Sequence, residues 1–487
     1  MPNPNIHAQP PLEFIPSQFD PLVFGAVRSL LPTWRRWRVG ITDIEVSNLE
    51  TLAQLYKQFQ DGKIRLLIAF RHPSTNDPYS MADMLWRQVS QTMRQQGIPV
   101  KAPIHAHFIY DRGIPLWAGK FVGWLYSRLG GTPIRRGKVD LMGLRSIREL
   151  FANGQFPMAA APEGATNGHN EIVSPIEPGI AQFGFWCVED LHKAGRTEQV
   201  LIVPIGIQYR YVEPPWDLVE QLLSRLELES GLVPEAAAVG GSEGDYPKGG
   251  TASHRQTLLY RRLYRLGEHL LTLMEQFYKK FYGQSFPAVP AAASTSSEGS
   301  PDVSSLSSNE QLAHRLQALL SAALSVAEQF FDLPPKGNLS DRCRRLEQAG
   351  WDRIYREDLK QIEALSPVER GLADRVAEEA DLRLWHMRLV ETFVSVTGHY
   401  VAEKLTVERF AETTLLLWDM VTRIKGKSPF PRPKLGQQQV KMTVGEPISV
   451  SDYWEAYQIS RRQAVANLTK ELQTVMEASA NQAKPLD

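Results

Sequence analysis

Cysteine is scarce in this chain, which has only Cys187 and Cys343 among its 487 residues. The two lie far apart, without the close spacing of a metal-binding pair, and two residues cannot form the several bridges of a disulfide-rich scaffold. The sequence therefore predicts a protein of a reducing compartment, with neither a structural disulfide nor a structural zinc.

An excess of charge and long apolar runs are lacking as well. The 54 basic and 54 acidic residues cancel to a net charge of zero, which removes a general electrostatic attraction to nucleic acid. No run reaches the roughly eighteen consecutive apolar residues of a membrane-spanning helix, and the first residues are polar and proline-rich rather than those of a signal peptide. We therefore expect a cytoplasmic protein with no spanning helix and no nucleic-acid partner.

What the sequence does contain, from about Gly62 to Tyr211, is an alternation of short apolar runs with amphipathic stretches. The predicted strands are Ile64 to Phe70, Pro103 to Tyr110, Phe156 to Ala161 and Val200 to Tyr209, and the predicted helices are Tyr79 to Gln95, Pro115 to Leu129, Val139 to Ala152 and a segment between Ile180 and Ala194. This alternation favours an α/β fold with a mostly parallel sheet flanked by helices.

Beyond Tyr211 the pattern changes to long helices. Apolar residues recur at helical spacing, which predicts helices at Arg255 to Tyr282, Leu312 to Phe330, Arg353 to Leu365, Val368 to Val396 and Val407 to Ile424. Pro287 to Ser308 is rich in Ala, Ser and Pro and is predicted to be a disordered linker. Gln438 to Val450 then alternates apolar and polar residues like a strand, and a lone strand needs a sheet to pair with.

We therefore expect this last strand to return to the first sheet, so that the helical region is one large insertion before it. The predicted organisation is an N-terminal amphipathic, membrane-facing segment (residues 1–61), an α/β core (62–215), a mostly helical insertion (216–435) that contains the linker, and a returning strand with a C-terminal helix (436–487).

His72 stands out among the histidines because an aspartate, Asp77, follows it by five residues. The pair comes directly after the strand Ile64 to Phe70, and a turn from strand to helix can present a histidine base to a substrate while a carboxylate orients the ring. Asp77 is followed by Pro78, which is also typical of a helix start. Both roles are compatible with the sequence.

Three further segments follow in order. Gly130 to Arg136 combines a glycine turn with Arg135 and Arg136, in a stretch from Asp111 to Leu150 that carries eight basic residues against three acidic ones, and arginine binds phosphate oxygens in a bidentate fashion. Ala161 to Gly164 places Glu163 directly after a predicted strand, where open α/β sheets bind ligands. Val203 is followed by Pro204, which belongs at the edge of a sheet or at a bulge.

Taken together, these segments resemble the HxxxxD glycerolipid acyltransferase family, which makes phosphatidic acid from lysophosphatidic acid. The matches are His72 and Asp77 to the first box, Gly130, Ile134 and Arg136 to the second, Pro162, Glu163 and Gly164 to the third, Val203 and Pro204 to the fourth, and Gly445 to Pro447 to the terminal Gly-Glu-Pro. The resemblance covers about Leu67 to Tyr211 and the final strand, and the helical insertion has no counterpart in it.

The resemblance implies that an acyl carrier protein or coenzyme A thioester donates a fatty acyl group to the free hydroxyl of a lysophospholipid, without a cofactor or metal. His72 would be the base and Asp77 its orienting partner. Arg136, with Arg135, would hold the phosphate of the acceptor, and Glu163 with Gly164 would position its glycerol.

The third box departs from the family pattern. Ala165, Thr166 and Asn167 stand where the family usually has Thr or Ser, then Arg, then Ser, so one basic contact is missing. Asn167 and His169 are the candidates to replace it as acceptor contacts. Lysophosphatidate is the leading acceptor, and glycerol 3-phosphate or another lyso-lipid is the alternative.

Two segments mix apolar and aromatic residues with basic ones, as interfacial membrane helices do. In Leu22 to Val39 four arginines accompany two tryptophans, and burying that many charges is costly, so this segment favours a peripheral membrane contact. For Pro115 to Leu129 core packing and membrane contact are equally compatible with the pattern.

Two readings of other classes remain open. His105 and His107 alternate on a predicted strand and, with His72, Asp77 and Glu163, could form the metal site of a hydrolase. Alternatively, the altered third box could mark a catalytically degenerate lipid-binding protein whose helical insertion binds a partner. The intact His72 and Asp77 argue against the second reading.

Overall fold

Eight strands form one mixed, mostly parallel sheet in the part of the chain that the computed structural model describes, which is residues 6–481 except 102, 136–138, 234–252, 287–307, 395 and 397. The strands are β1 (Ile41–Ser47), β2 (Ile64–Phe70), β3 (His107–Asp111), β4 (Thr132–Ile134), β5 (Met158–Ala160), β6 (Gln199–Tyr211), β7 (Gln438–Val444) and β8 (Ile448–Ser449). Their order is β1-β7-β6-β2-β5-β3-β4, and β8 also pairs with β6. Among these described strands, the pairs that β6 makes with β7 and β8 are antiparallel and the other pairs are parallel.

β2 lies near the middle of the sheet, where helices cover both of its faces, and its side chains are suited to burial on both sides. All seven of its residues are buried and all but Arg65 are apolar, which is typical of a parallel strand covered by helices on both sides. Leu66 and Ile68 pack into the apolar core on one face of the sheet, and Leu67 and Ala69 into the core on the other. The end of β2, where His72 follows, is therefore a rigid support.

The C-terminal strand returns to this sheet as predicted. β7 inserts between β1 and β6, parallel to the first and antiparallel to the second. Pro204 lies within β6, which has a partner on each side, so of its two predicted positions the outer edge is wrong. It lies at an irregularity of the pairing, where two residues of β6 stand opposite three residues between β7 and β8. It is tolerated there because β7 stops opposite Ile205 and the turn at Gly445 follows: the Gly445 amide donates to the Pro204 carbonyl at 2.9 Å, so the missing proline N–H faces a turn instead of a strand.

The helices of this α/β unit flank the sheet. They are α1 (Pro21–Trp34, continuing as a π-helical segment Arg35–Val39), α2 (Leu49–Gln60), α3 (Asp77–Asp83), a π-helical segment Met84–Val89, α4 (Ser90–Gln95), α5 (Ile114–Ala118), α6 (Lys120–Arg128), α7 (Leu141–Asn153), α8 (Gly179–Lys193), α16 (Trp454–Ile459) and α17 (Arg461–Asn481), with a 3-10 turn at Ser451–Tyr453. The predicted helix Pro115 to Leu129 is two helices, because Gly119 between them has a φ of 93°.

The second unit is helical. Its helices are α9 (Trp216–Glu229), α10 (His254–Tyr282), α11 (Ser308–Phe331), α12 (Leu339–Ile354), α13 (Pro367–Glu391), α14 (Tyr400–Glu403) and α15 (Val407–Ile424). The predicted helix Arg353 to Leu365 is wrong: α12 ends at Ile354, and only 3-10 turns at Glu357–Leu359 and Ile362–Ala364 follow. The predicted linker Pro287 to Ser308 lies outside the described residues except for Ser308, the first residue of α11.

The described chain divides into two compact units. One comprises Leu12–Glu213 with Gly436–Asp487, and the other Met1–Pro11 with Pro214–Leu435. Residues 1–61 were predicted to form a separate N-terminal segment, but within them β1 belongs to the sheet and α2 packs against β2. The predicted fold class, a mostly parallel α/β sheet with a helical insertion before the C-terminal strands, is confirmed.

Candidate functional site

The sheet topology brings the His72 and Glu163 turns together. β2 and β5 are neighbouring parallel strands, so the residues that follow them lie at the same edge of the sheet. The backbone N–H of His72 donates to Oε1 of Glu163 at 2.8 Å. Two segments that are 91 residues apart in sequence therefore form one site.

His72 and Asp77 form a hydrogen-bonded pair. Nδ1 of His72 lies 2.8 Å from Oδ2 of Asp77, and the histidine side chain is 23% exposed while the aspartate is completely buried. Asp77 Oδ2 also accepts the Ser74 amide hydrogen at 3.0 Å. Because this oxygen is an acceptor, Nδ1 carries the proton of the neutral imidazole and Nε2 keeps a lone pair. This is the orientation of a general base.

The carboxylate of Asp77 is anchored from the sheet, not used as a helix cap. Helix α3 begins at Asp77 itself, with Asn76 preceding it, so the predicted capping role is wrong. Oδ1 of Asp77 instead accepts a hydrogen bond from the hydroxyl of Tyr209 in β6 at 2.6 Å. Burial, and after it the Asp77 charge, raises the pKa of Tyr209 well above its usual value, so the hydroxyl keeps the proton that it donates.

Thr166 forms a hydrogen bond with the second nitrogen of the His72 ring. Its Oγ1 lies 3.1 Å from Nε2 of His72, and because Nε2 carries no proton, the threonine hydroxyl is the donor. In the sequence, Thr166 was noted only because it stands where the family usually has an arginine. Its hydrogen bond to the candidate base could not be read from the sequence, since 94 residues separate the two side chains.

Glu163 is a buried hub and not a substrate contact. Besides the His72 amide, its carboxylate accepts the side-chain amide of Asn167 at 2.8 Å and the backbone N–H of Ser174 at 3.0 Å. Arg71 Nε lies 3.5 Å from the same carboxylate, and both side chains are completely buried. The expectation that Glu163 holds the glycerol of an acceptor is therefore corrected. Glu163 fixes the His72 turn to the loop of the third box, which is the segment 161–178 between β5 and α8.

Asn167 and His169 are likewise occupied within this loop. The Asn167 amide group donates to Glu163 and to the carbonyl of Ile172 at 2.7 Å, and its Oδ1 accepts the His169 N–H at 2.9 Å. His169 is 1% exposed. Neither side chain faces an acceptor, which corrects both predicted contacts. Gly164 has a φ of 74°, a left-handed conformation that glycine adopts without strain and that turns the chain after Glu163.

Arg71 was not singled out from the sequence, although it precedes His72. It is fully buried, and its guanidinium donates to the carbonyls of Asn170 and Ile172, each at 2.5 Å, and to that of His169 at 3.3 Å. An arginine with five donors is suited to hold several carbonyls of one loop. The loop of the third box is thereby attached to the end of β2.

The predicted residues of the second box lie at both ends of β4, with Gly130 before the strand and Arg135 after it. Ala69 pairs with Ala160, Phe108 with Ala159, and Ile109 with Thr132, so that Arg135 follows β4 at the same level at which His72 follows β2. Ile134 is the last residue of β4, and the Arg135 backbone N–H donates to Oδ2 of Asp140 at 2.9 Å. Arg136, the main predicted phosphate ligand, lies outside the described residues.

Gly130 precedes β4 and lies toward the opposite end of the strands. Its carbonyl is 2.7 Å from Nδ1 of His107, the first residue of β3, and its φ is 75°. This glycine therefore serves the turn into β4, which corrects its predicted role in substrate binding.

His105 and His107 are structural in their contacts. The Trp86 indole N–H donates to Nδ1 of His105 at 2.8 Å, and Nε2 of His105 then donates to the Leu129 carbonyl at 2.6 Å. Burial lowers the pKa of His105 to about 4 and lowers that of His107 as well.

His107 pairs with Met158, opposite Leu67, and so lies five residues below the level of His72. The metal-site hypothesis required these histidines beside His72, and the structure does not bring them together. Within the described ranges, no group of three or more His, Cys, Asp and Glu is placed to hold a metal ion.

The N-terminal helix presents an exposed apolar and basic surface. Leu22, Leu30, Trp34 and Trp37 are 85%, 68%, 51% and 84% exposed, and Arg28, Arg36 and Arg38 are exposed beside them. Arg35 departs from the expectation, since it is buried with Nε 3.8 Å from Asp83. In α6, Phe121 and Trp124 are also exposed and stack at 5.4 Å.

Comparison with known proteins adds no assignment: no protein-family model matches the chain, and no curated protein matches it. Among the described helices, none combines the length and the apolar character needed to cross a membrane.

Proposed function

We propose that this protein is an O-acyltransferase that moves a fatty acyl group from an acyl thioester to the free hydroxyl of a lysophospholipid. Lysophosphatidate is the leading acceptor, and phosphatidate would be the product. The observation that carries the proposal is the His72–Asp77 pair, with a 2.8 Å bond on Nδ1 and a lone pair on Nε2 of a partly exposed side chain.

The geometry supports base catalysis at a hydroxyl. Nε2 of His72 takes the proton of the attacking hydroxyl, and Asp77, anchored by Tyr209 and Ser74, stabilises the imidazolium that forms. The thioester carbonyl becomes a tetrahedral intermediate, which collapses with loss of the thiolate. The same histidine then returns its proton to the sulfur, so that the base is regenerated.

An acceptor with a phosphate is favoured by the basic second box. Arg135 lies at the same edge of the sheet as His72, three strands away along the row β2-β5-β3-β4. Arg136 directly follows it in the sequence, and arginine is suited to phosphate oxygens. Glycerol 3-phosphate, which carries the same group, remains the alternative acceptor. The acyl donor is a thioester of acyl carrier protein or of coenzyme A.

A lipid acceptor also requires access to a membrane surface. The exposed tryptophans and arginines of α1 and its π-helical continuation have the composition of a helix that lies in the interface of an anionic bilayer. We propose peripheral association at the cytoplasmic face.

The decisive experiment measures acyl transfer by the full chain to lysophosphatidate, glycerol 3-phosphate and other lyso-lipids, with both kinds of thioester. His72→Ala should abolish transfer, and Asp77→Asn should lower kcat by about 10³-fold or more, because an amide in place of Oδ2 opposes the donors of His72 and Ser74.

His192→Ala is the matched control, since His192 is an exposed histidine of the same unit. It should transfer at the wild-type rate. Retained turnover in a folded His72→Ala protein would remove the central claim, and a wild-type protein without transfer to any of these acceptors would refute the proposed reaction.

A further inference from the structure

The side chains of Thr166, His72 and Asp77 are arranged as nucleophile, base and orienting acid. The hydroxyl of Thr166 lies 3.1 Å from Nε2, and Nδ1 lies 2.8 Å from the carboxylate. Both distances are within the hydrogen-bond reach that defines an activated hydroxyl nucleophile. The proton of Thr166 points at the lone pair of the base, as the tautomer of His72 requires.

Thr166 is held in this position by the contacts of the residue that follows it. The Asn167 backbone N–H donates to the carbonyl of His72 at 3.3 Å, directly beside Thr166, and the Asn167 side chain donates to Glu163 on the other side of the loop. Arg71 binds the following carbonyls. The hydroxyl therefore belongs to a loop that is attached to the rest of the unit by buried groups.

The site is also accessible. Thr166 is half-buried and the His72 side chain is 23% exposed, so neither residue is closed off from solvent. The thiol of Cys187 is not an alternative nucleophile, because it is buried and burial raises its pKa to about 12. Cys343 lies in the helical unit.

We propose that Thr166 is a covalent nucleophile, which carries the acyl group as an ester between the thioester and the acceptor. This inference rests on the proposed overall reaction, and it replaces the direct attack of the acceptor hydroxyl on the thioester by two half-reactions through an acyl-enzyme. Oγ1 of Thr166 attacks the thioester carbonyl while its proton passes to Nε2 of His72. The carbon–sulfur bond then breaks, and the thiolate takes that proton and leaves as the thiol.

The second half-reaction reverses the roles. The hydroxyl of the acceptor gives its proton to Nε2 and attacks the acyl-threonine carbonyl, and the alkoxide of Thr166 leaves and recovers the proton. Transfer then follows ping-pong kinetics. Water in place of the acceptor gives slow thioester hydrolysis.

The test uses the full chain with palmitoyl-coenzyme A and no acceptor, quenched in acid. Free coenzyme A and the intact protein mass are followed, and the modified peptide is sequenced by mass spectrometry. The variants are Thr166→Val, which replaces the hydroxyl by a methyl group of similar size, Thr166→Ser, which keeps a hydroxyl, and Thr197→Val as control, since Thr197 is exposed in another loop of the same unit.

We expect one palmitoyl group on the peptide that contains Thr166 in the wild type, in Thr166→Ser and in Thr197→Val, and none in Thr166→Val. Transfer to lysophosphatidate should fall by about 100-fold or more in Thr166→Val and by no more than about tenfold in Thr166→Ser.

An unmodified wild type together with wild-type transfer by Thr166→Val would overturn the inference and leave direct attack by the acceptor. An acyl group on a different residue would also overturn it. An acylated Thr166 without transfer to any lyso-lipid would refute the acceptor assignment alone.

Discussion

Tyr209 donates its hydroxyl hydrogen to Oδ1 of Asp77 at 2.6 Å, across 132 residues of sequence. The tyrosine is itself fixed by Asn170, whose side chain accepts the Tyr209 backbone N–H at 2.7 Å and donates to its carbonyl at 2.9 Å. The orientation of His72 thus depends on β6 as well as on its own turn.

Tyr209→Phe should weaken catalysis without removing the base. We expect kcat to fall by about tenfold, and the free energy of unfolding by about 1–3 kcal/mol, because Oδ1 of a fully buried carboxylate loses its hydrogen-bond donor. Acyl-transfer kinetics and urea unfolding measure the two effects.

Tyr110→Phe is the matched control. The hydroxyl of Tyr110 is buried and has no hydrogen-bond partner among the described residues, so its removal should change the free energy of unfolding by no more than about 0.5 kcal/mol. Equal losses in both variants would contradict a specific role for the Tyr209 bond.

Glu163→Gln should disrupt the site by changing an acceptor into a donor. The Glu163 carboxylate accepts from the His72 amide, the Asn167 side chain and the Ser174 amide, and a glutamine NH₂ must oppose at least one of them. We expect a stability loss of about 1–3 kcal/mol and a drop in kcat larger than any change in KM. Glu149→Gln, at an exposed carboxylate that among the described residues accepts only from Asn153 at 3.0 Å, should do neither. A rise in the KM for acceptor alone would instead indicate direct contact.

Acid should destabilise the α/β unit through His105. The folded protein resists protonation of this ring, whose pKa burial lowers to about 4, whereas an unfolded histidine titrates near about 6.5. Between these values the unfolded chain binds the additional proton, so this contribution to stability is complete above about pH 6.5 and is lost as the pH falls toward 4.

Comparison of the free energy of unfolding at pH 7.5 and pH 5.0 isolates this effect. His105→Gln should lower stability at pH 7.5, since it breaks the bonds to Trp86 and Leu129, but its further loss at pH 5.0 should be smaller than that of the wild type by about 2 kcal/mol. His192→Gln, at an exposed ring, should follow the wild-type curve. An unchanged pH dependence in His105→Gln would contradict the assignment.

Replacement of the exposed tryptophans should weaken lipid binding. Trp37→Ser, combined with Trp34→Ser, should lower partitioning onto anionic vesicles by about tenfold or more, since both side chains are exposed in the free protein and would enter the lipid interface. Flotation measures the bound fraction. Val212→Ser, at a half-exposed apolar residue elsewhere in the unit, should bind as the wild type does. Equal flotation of the double variant would exclude this surface as the lipid contact.

Much of the fold could be predicted because its signals are local. The apolar run Ile64 to Phe70 is β2 with the predicted limits, and Val407 to Ile424 is α15. Both could be predicted because such a pattern of apolar residues indicates one type of secondary structure. β1 and β4 were missed. β4 has three residues, too few for a pattern, and β1 depends on pairing with β7, which lies almost 400 residues later.

The sequence by itself determined the α/β alternation, the helical insertion, the return of the last strand, and the pairing of His72 with Asp77, because five residues of a tight turn leave few other arrangements. Only the tertiary structure decided that Tyr209 anchors Asp77 and that Thr166 lies against the base. It also decided that Glu163, Asn167 and His169 form hydrogen bonds within a buried network. These contacts join β2, β5 and β6. The order of the strands brings these residues together. A hydrogen bond between residues that are far apart in the sequence produces no periodic pattern from which it could be predicted.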